Sequence, residues 1–113
     1  METTFETIEK ENITTLHFPK SDVLEDREQR QQRQSELKRA LSLGNLEHEK
    51  IKIYFEDAAS KKVVETTVWG VTDNEVILKK GVGIPINRIY KSLWLFQSKG
   101  YRIIIKTSNR LAR

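Results

Sequence analysis

The sequence predicts an α+β, mainly β fold: one N-terminal helix followed by a small five-stranded barrel with a C-terminal hairpin extension. Three observations lead there. From Val63 to Leu95, short β-branched and apolar runs alternate with tight turns built on Asp, Asn and Gly. Strands this short and this closely joined curl into a barrel to hide their edges. Asp22–Leu43 is the one stretch with convincing helix signals at both ends. A chain of 113 residues makes a single domain with a modest core, since small domains hide a lower fraction of their surface.

Taken in order, residues 1–20 read as an N-terminal arm or a single strand. Ile13, Leu16 and Phe18 would be the apolar positions of a strand at Asn12–Phe18, which Pro19 ends. Residues 21–113 form the helix-plus-barrel domain. Asp22 with Glu25 three residues on is a capping-box pattern, and Gly44-Asn45 supplies a stop. The segment Glu25–Glu36 contains no apolar residue, so the helix docks by its ends, mainly through Leu37, Ala40 and Leu41. Arg27, Arg30 and Arg33 recur every three residues. They form either a solvated face or a polar docking or phosphate-contacting surface.

Ile51, Ile53 and Phe55 alternate with Lys50, Lys52 and Tyr54, the pattern of a half-buried strand. In the second strand Val64, Thr66, Val68 and Gly70 share one face, and Val63, Glu65, Thr67, Trp69 and Val71 the other; Gly70 marks a bend or bulge. Thr72-Asp73-Asn74 turns into Val76-Ile77-Leu78, because Asn and Asp tolerate the left-handed region and bond their own backbone. Gly83-Ile84-Pro85-Ile86 leads through the corner Asn87-Arg88-Ile89 into Tyr90–Leu95. Leu93–Phe96 and Tyr101–Lys106 flank the turn Ser98-Lys99-Gly100 as a hairpin, and Thr107–Arg113 is a polar, basic tail.

The net charge of +4 hides a division. Residues 1–49 carry seven Lys/Arg against eleven Asp/Glu, whereas residues 50–113 carry thirteen against five. A basic strand half points to an anionic partner, unless the lysines merely protect sheet edges. The absence of cysteine excludes disulfides, thiolate metal sites and a cysteine nucleophile. No segment approaches the ~20 apolar residues of a membrane span, and the glutamates near the N-terminus have the wrong sign for a signal peptide. The expectation is a cytoplasmic protein with no membrane attachment.

Reactive groups are sparse. His17 and His48 have no local ligand spacing, and Gly81-Val82-Gly83 lacks the helix N-terminus of a phosphate loop. No Ser sits in a nucleophile elbow, and no carboxylate pair is implied. The sequence therefore points away from an enzyme, a metal site or a cofactor and toward a binding surface. Aromatic residues Trp69, Tyr90, Trp94, Phe96 and Tyr101 interleave with cations in the strand half, as single-stranded nucleic acid requires. The candidate nucleic-acid-binding residues are Lys79, Lys80, Arg88, Tyr90, Lys91, Lys99 and Arg102. Trp69, Trp94 and Phe96 are expected in the core, with Tyr90 and Tyr101 showing a face. Lys79 and Lys80 sit at a different connection from Arg88 and Lys91, so the cations can divide into two patches.

The helix at Ser21–Leu43, the bent strand Val63–Val71, the turn Thr72-Asp73-Asn74 before Glu75–Leu78 and the closing Ile84-Pro85-Ile86-Asn87-Arg88-Ile89 together resemble small SH3-like barrels. Within these they are similar to the Sm-like group that includes Hfq and the Rho inhibitor Rof. That resemblance covers about half the chain. It implies RNA binding or docking on an RNA-handling protein. Two functions follow as expectations: a module for RNA or single-stranded DNA, or a protein-interaction and regulatory module that docks on a partner or on a second copy of itself as a homo-oligomer.

Overall fold

The computed structural model describes residues 4–94. The predicted hairpin beyond Trp94, the tail, and with them Lys99, Tyr101 and Arg102 lie outside the described residues. Within them one long helix packs on two sheets. Strand β1 is Glu6–Thr7, helix α1 is Arg27–Glu47, and strands β2 to β7 are Ile51–Glu56, Lys61–Thr66, Val68–Val71, Glu75–Leu78, Gly83–Pro85 and Ile89–Trp94. One sheet has the order β1-β3-β2-β7 and the other β4-β5-β6. That makes seven strands where the sequence predicts five in the barrel. β1 is additional, and the long second strand divides at Thr67 into β3 and β4.

The N-terminal arm is not the strand expected at Asn12–Phe18. Lys10–Thr15 forms a 3₁₀ turn that buries Ile13, while Phe18 and Leu16 pack beside the core. β1 runs parallel to β3 at its edge. Thr14 and Thr15 bond back to the carbonyls of Glu11 and Asn12, the local side-chain competition that diverts such residues from a ladder.

The N-cap of helix α1 lies four residues beyond Asp22, and the helix runs past Gly44. Asp26 is the N-cap, accepting from the Glu28 N–H at 2.9 Å. Asp22 instead makes a tight turn by accepting from the Leu24 N–H at 2.8 Å, and its carboxylate is needed by Arg33. His48, at φ 56°, closes the helix in the left-handed region. Gly44 has a different task from the expected stop. A Cβ there would stand 2.1 Å from the carbonyl oxygen of Val68. Only glycine lets α1 lie this close on β4.

Leu37 and Ala40 are buried and Leu41 packs against the core, as the i, i+3, i+4 spacing predicts. The core itself lies between α1 and the two sheets, filled by Ile51, Ile53, Phe55, Val64, Val68, Val76, Leu78, Ile84 and Ile89. The arginines of the mid-helix face do not share one role. Arg33 is 5% exposed. Its guanidinium grips Asp22 with two bonds of 2.9 and 2.8 Å and donates a third to the Ile89 carbonyl at 3.0 Å. Arg30 donates to the carbonyls of Leu24 and Glu25. Both brace the segment before α1 against the helix, and Arg33 ties it to β7 as well. Neither is part of an open phosphate-contacting face. Among the described residues, no helix is long and apolar enough to cross a membrane.

Candidate nucleic-acid interface

The second sheet carries a bulge at its first strand. Val68 pairs with Leu78, and Gly70 already pairs with Ile77, so Trp69 is extra. A bulge re-aims side chains at the price of one ladder position. Here Val68 points into the core, whereas Trp69 is 52% exposed. Trp69, expected in the core from the sequence, is instead on the surface.

Trp69 stands in the wall of a cleft of about 570 Å³ lined by Gly44, Asn45, His48, Lys50, Thr67, Trp69 and Lys79. Three separate parts of the chain build it. The close crossing at Gly44 brings the last turn of α1 against β4. The left-handed turn at His48 then sends the chain back toward β2, leaving Lys50 at the rim. The Lys79 backbone N–H donates to the Thr67 carbonyl at 3.1 Å, which fixes the 3₁₀ turn Lys79–Gly81 beside the β3–β4 junction. Lys80 and Gly81 in that turn have φ of 72° and 83°; glycine adopts this freely, whereas lysine does so at a cost. The cleft thus offers an aromatic face, two ammonium groups, an imidazole and the amide of Asn45. It also offsets the partial negative charge at the C-terminal end of α1.

The residues expected to bind nucleic acid separate. Lys79 is in the cleft. Lys80 is exposed on the same turn but within electrostatic reach of Glu11. Glu11's own backbone bond, then Lys10 and Lys80, hold its carboxyl below the usual carboxylate range. Arg88 is 6% exposed. It donates from Nε to the Glu56 carbonyl at 3.0 Å and from Nη1 to the Ser21 carbonyl at 2.9 Å. With Asn87, which donates to the carbonyls of Lys20 and Ser21, it pins the segment before α1 to the Ile86–Arg88 corner. It is a brace, with no free face for a phosphate.

Tyr90 and Lys91 lie on β7, at the outer face of the first sheet. Tyr90 is half-buried and its hydroxyl donates to Glu56. Burial first, and then the Glu56 carboxylate, push its phenol up to about 12. Phe5 from the N-terminal arm sets its ring edge-on to Tyr54 and Tyr90, at 5.0 and 5.8 Å between centroids. Lys61 lies 5.6 Å from the Tyr90 ring and Lys91 5.2 Å from that of Tyr54, close enough for cation–π attraction. Lys91 also feels Glu36 of α1, whose carboxyl burial raises despite a bond from the Ser92 N–H. The Tyr90 ring is therefore covered from two sides, unlike that of Trp69.

Lys50, Asn45, His48 and Thr67 join the cleft with no signal in the sequence that marks them as members of a site. The outward turn of Trp69 had one signal: it shares strand parity with Glu65, which is exposed. Among the described residues, no group of three or more His, Asp or Glu is placed to hold a metal ion. No family model, curated protein or solved structure matches the chain.

Proposed function

We propose that this chain is a non-enzymatic module that binds single-stranded nucleic acid, RNA foremost, with a base stacked on Trp69 and phosphates held by Lys50 and Lys79. One observation carries the reading: a large aromatic ring half in water on a bulged strand, in the same cleft as two lysines. Exposing an indole forgoes roughly 1.5–3 kcal/mol of burial, which a stacking platform recovers when a base covers it. Asn45 and Thr67 supply hydrogen-bonding groups for a base edge. The fold supports the same reading. In this proposal β3 and β4 count as one strand bent at Thr67, so that β2 to β7 correspond to the five strands of an SH3-like, Sm-like barrel, with the Ile86–Arg88 corner before the last strand. The function is cytoplasmic in this proposal, and it needs no cofactor.

Leu46, 78% exposed on the last turn of α1, favours the second reading, a protein-docking surface. Salt separates the two. Anisotropy of a labelled single-stranded RNA should show binding at about 50 mM salt that weakens steeply by about 200 mM, because phosphate contacts release counterions. Trp69→Ala should weaken it about 5- to 150-fold, the equivalent of 1–3 kcal/mol per stacked base. Absence of binding by the parent at the lower salt, or affinity indifferent to Trp69, would hand the cleft to a protein partner.

A further inference from the structure

We infer that the bound strand leaves the Trp69 cleft along the outer face of β2 and β7, giving a track for about three nucleotides. The inference rests on the reading of the cleft as a base-stacking site and adds a path, a length and a second set of contacts.

Lys50 belongs to the cleft and lies one residue before β2. Two residues on, Lys52 is paired across the sheet with Leu93, and two further on, Tyr54 is paired with Lys91. Alternate residues of a strand share a face at about 6.6 Å intervals, comparable to the separation of successive phosphates in an extended strand. The inward neighbours Ile51, Ile53 and Phe55 are buried, so Lys52 and Tyr54 point outward. Leu93, 36% exposed, supplies an apolar surface between the two lysines, and Lys91 already lies over the Tyr54 ring.

The acids define the borders. Glu65 stands opposite Lys52 on β3 and repels phosphate from that side. Glu56 is bonded to Tyr90. Glu36 of α1, bonded to the Ser92 N–H and within electrostatic reach of Lys91, closes the far side of β7. The track thus runs between Glu65 and Glu36 over the β2–β7 pair and stops where Phe5 covers the edge of Tyr54. From Lys50 to Tyr54 is about 13 Å at strand rise, two nucleotide steps beyond the one on Trp69.

The test uses the full chain, labelled oligouridylates of one to six nucleotides, and uridine monophosphate followed by tryptophan fluorescence. Affinity should climb steeply up to three or four nucleotides and then level off. A Lys52→Ala/Lys91→Ala double variant should bind the tetranucleotide about tenfold more weakly, with the salt slope reduced by about 1.4, and should bind the mononucleotide as the parent does. Melting curves establish that each variant is folded; both lysines are at the surface of an intact ladder. Tetranucleotide affinity unchanged in the double variant, while Trp69→Ala weakens binding, overturns the track and leaves the cleft standing. Trp69→Ala without effect on either ligand overturns both. Equal competition by a glutamate decapeptide would overturn them in favour of an acidic polypeptide.

Discussion

Gly44 is the residue on which the geometry of the cleft depends most, and Gly44→Ala tests it directly. In an ordinary helix interior the change is favourable by about 1 kcal/mol, because alanine loses less conformational freedom on folding. Here the added methyl would stand 2.1 Å from the Val68 carbonyl oxygen, with Val68 C at 3.2 Å and a Thr67 methyl at 3.3 Å. The obstacle is backbone, which cannot rotate away. To bring that contact to 3.0 Å, α1 must lift from β4 by about 1 Å. Such a gap forfeits a quarter to a half of each dispersion contact along it, including those of Leu37 and Ala40 on the same stripe. Overpacking of this kind costs about 3 kcal/mol at the upper end of its range. The net expectation is a loss of about 2 kcal/mol, or a melting temperature lower by about 10 °C for a domain of this size. Urea unfolding with the slope held constant gives the number. Gly70→Ala is the matched comparison: its methyl meets only Ile77, at 3.7 and 3.8 Å, and it should lie within about 0.5 kcal/mol of the parent. A Gly44→Ala chain that melts at or above the parent temperature refutes the close-crossing argument.

Further outcomes follow from the buried polar groups. For Asp22, burial alone would raise the carboxyl, but the bonds from Arg33 and the Leu24 N–H outweigh it and hold it low; for Asp57, burial is likewise outweighed by the Ser60 N–H, Lys62 and the Ala59 N–H. A carboxyl lowered in the fold lends stability above its unfolded pKa, near 3.8, and loses it as pH falls through the folded value. Glu36, raised by burial, works the other way and gains stability as pH falls toward 4.5. Acid unfolding should therefore begin below about pH 4. Arg33→Ala should cost about 2–3 kcal/mol by urea titration, less than a fully buried pair because Asp22 keeps 26% of its side chain in water; a cost under about 0.5 kcal/mol would make that ion pair ornamental. Tyr90 should ionise near 12 by ultraviolet titration, so its share of stability is lost as pH rises from 10 through 12. Glu56→Gln should bring the phenol back toward 10, and an unchanged titration would separate Tyr90 from Glu56.

The existence of the helix and of the strands from Ile51 onward is legible because each rests on a local signal, whereas β1 and the start of the helix are not. The alternation Ile51, Ile53, Phe55 maps directly onto the buried face of β2, and Leu37 and Ala40 onto the buried stripe of α1. What misled was any residue whose partner lies far off in sequence. Asp22 carries a helix-start pattern, yet its carboxylate is drawn to Arg33 eleven residues on. Gly44 has the look of a stop, but its smallness answers to Val68, on a strand whose nearness to the helix no local pattern encodes. Arg88 reads as a surface cation beside a turn, and it is instead a donor to carbonyls at Ser21 and Glu56.

The same distinction explains the site. A basic, aromatic-rich strand half is a compositional fact, and it suggests a kind of partner without placing a site for it. Composition cannot say which rings are spare. Tyr90 is next to Arg88 and Lys91 in sequence, but Phe5, Lys61 and Glu56 converge on it from other segments and occupy its ring and hydroxyl. Trp69 has no cation beside it in sequence, with Lys62 seven residues before it and Lys79 ten after, yet strand alternation from the exposed Glu65 points it outward into a cleft with Lys50 and Lys79. A single extra residue in a ladder inverts the exposure of a side chain. The register of β4 against β5 is set by Val68 and Val71 both reaching the core on either side of the bulge, with Trp69 left on the outer side between them.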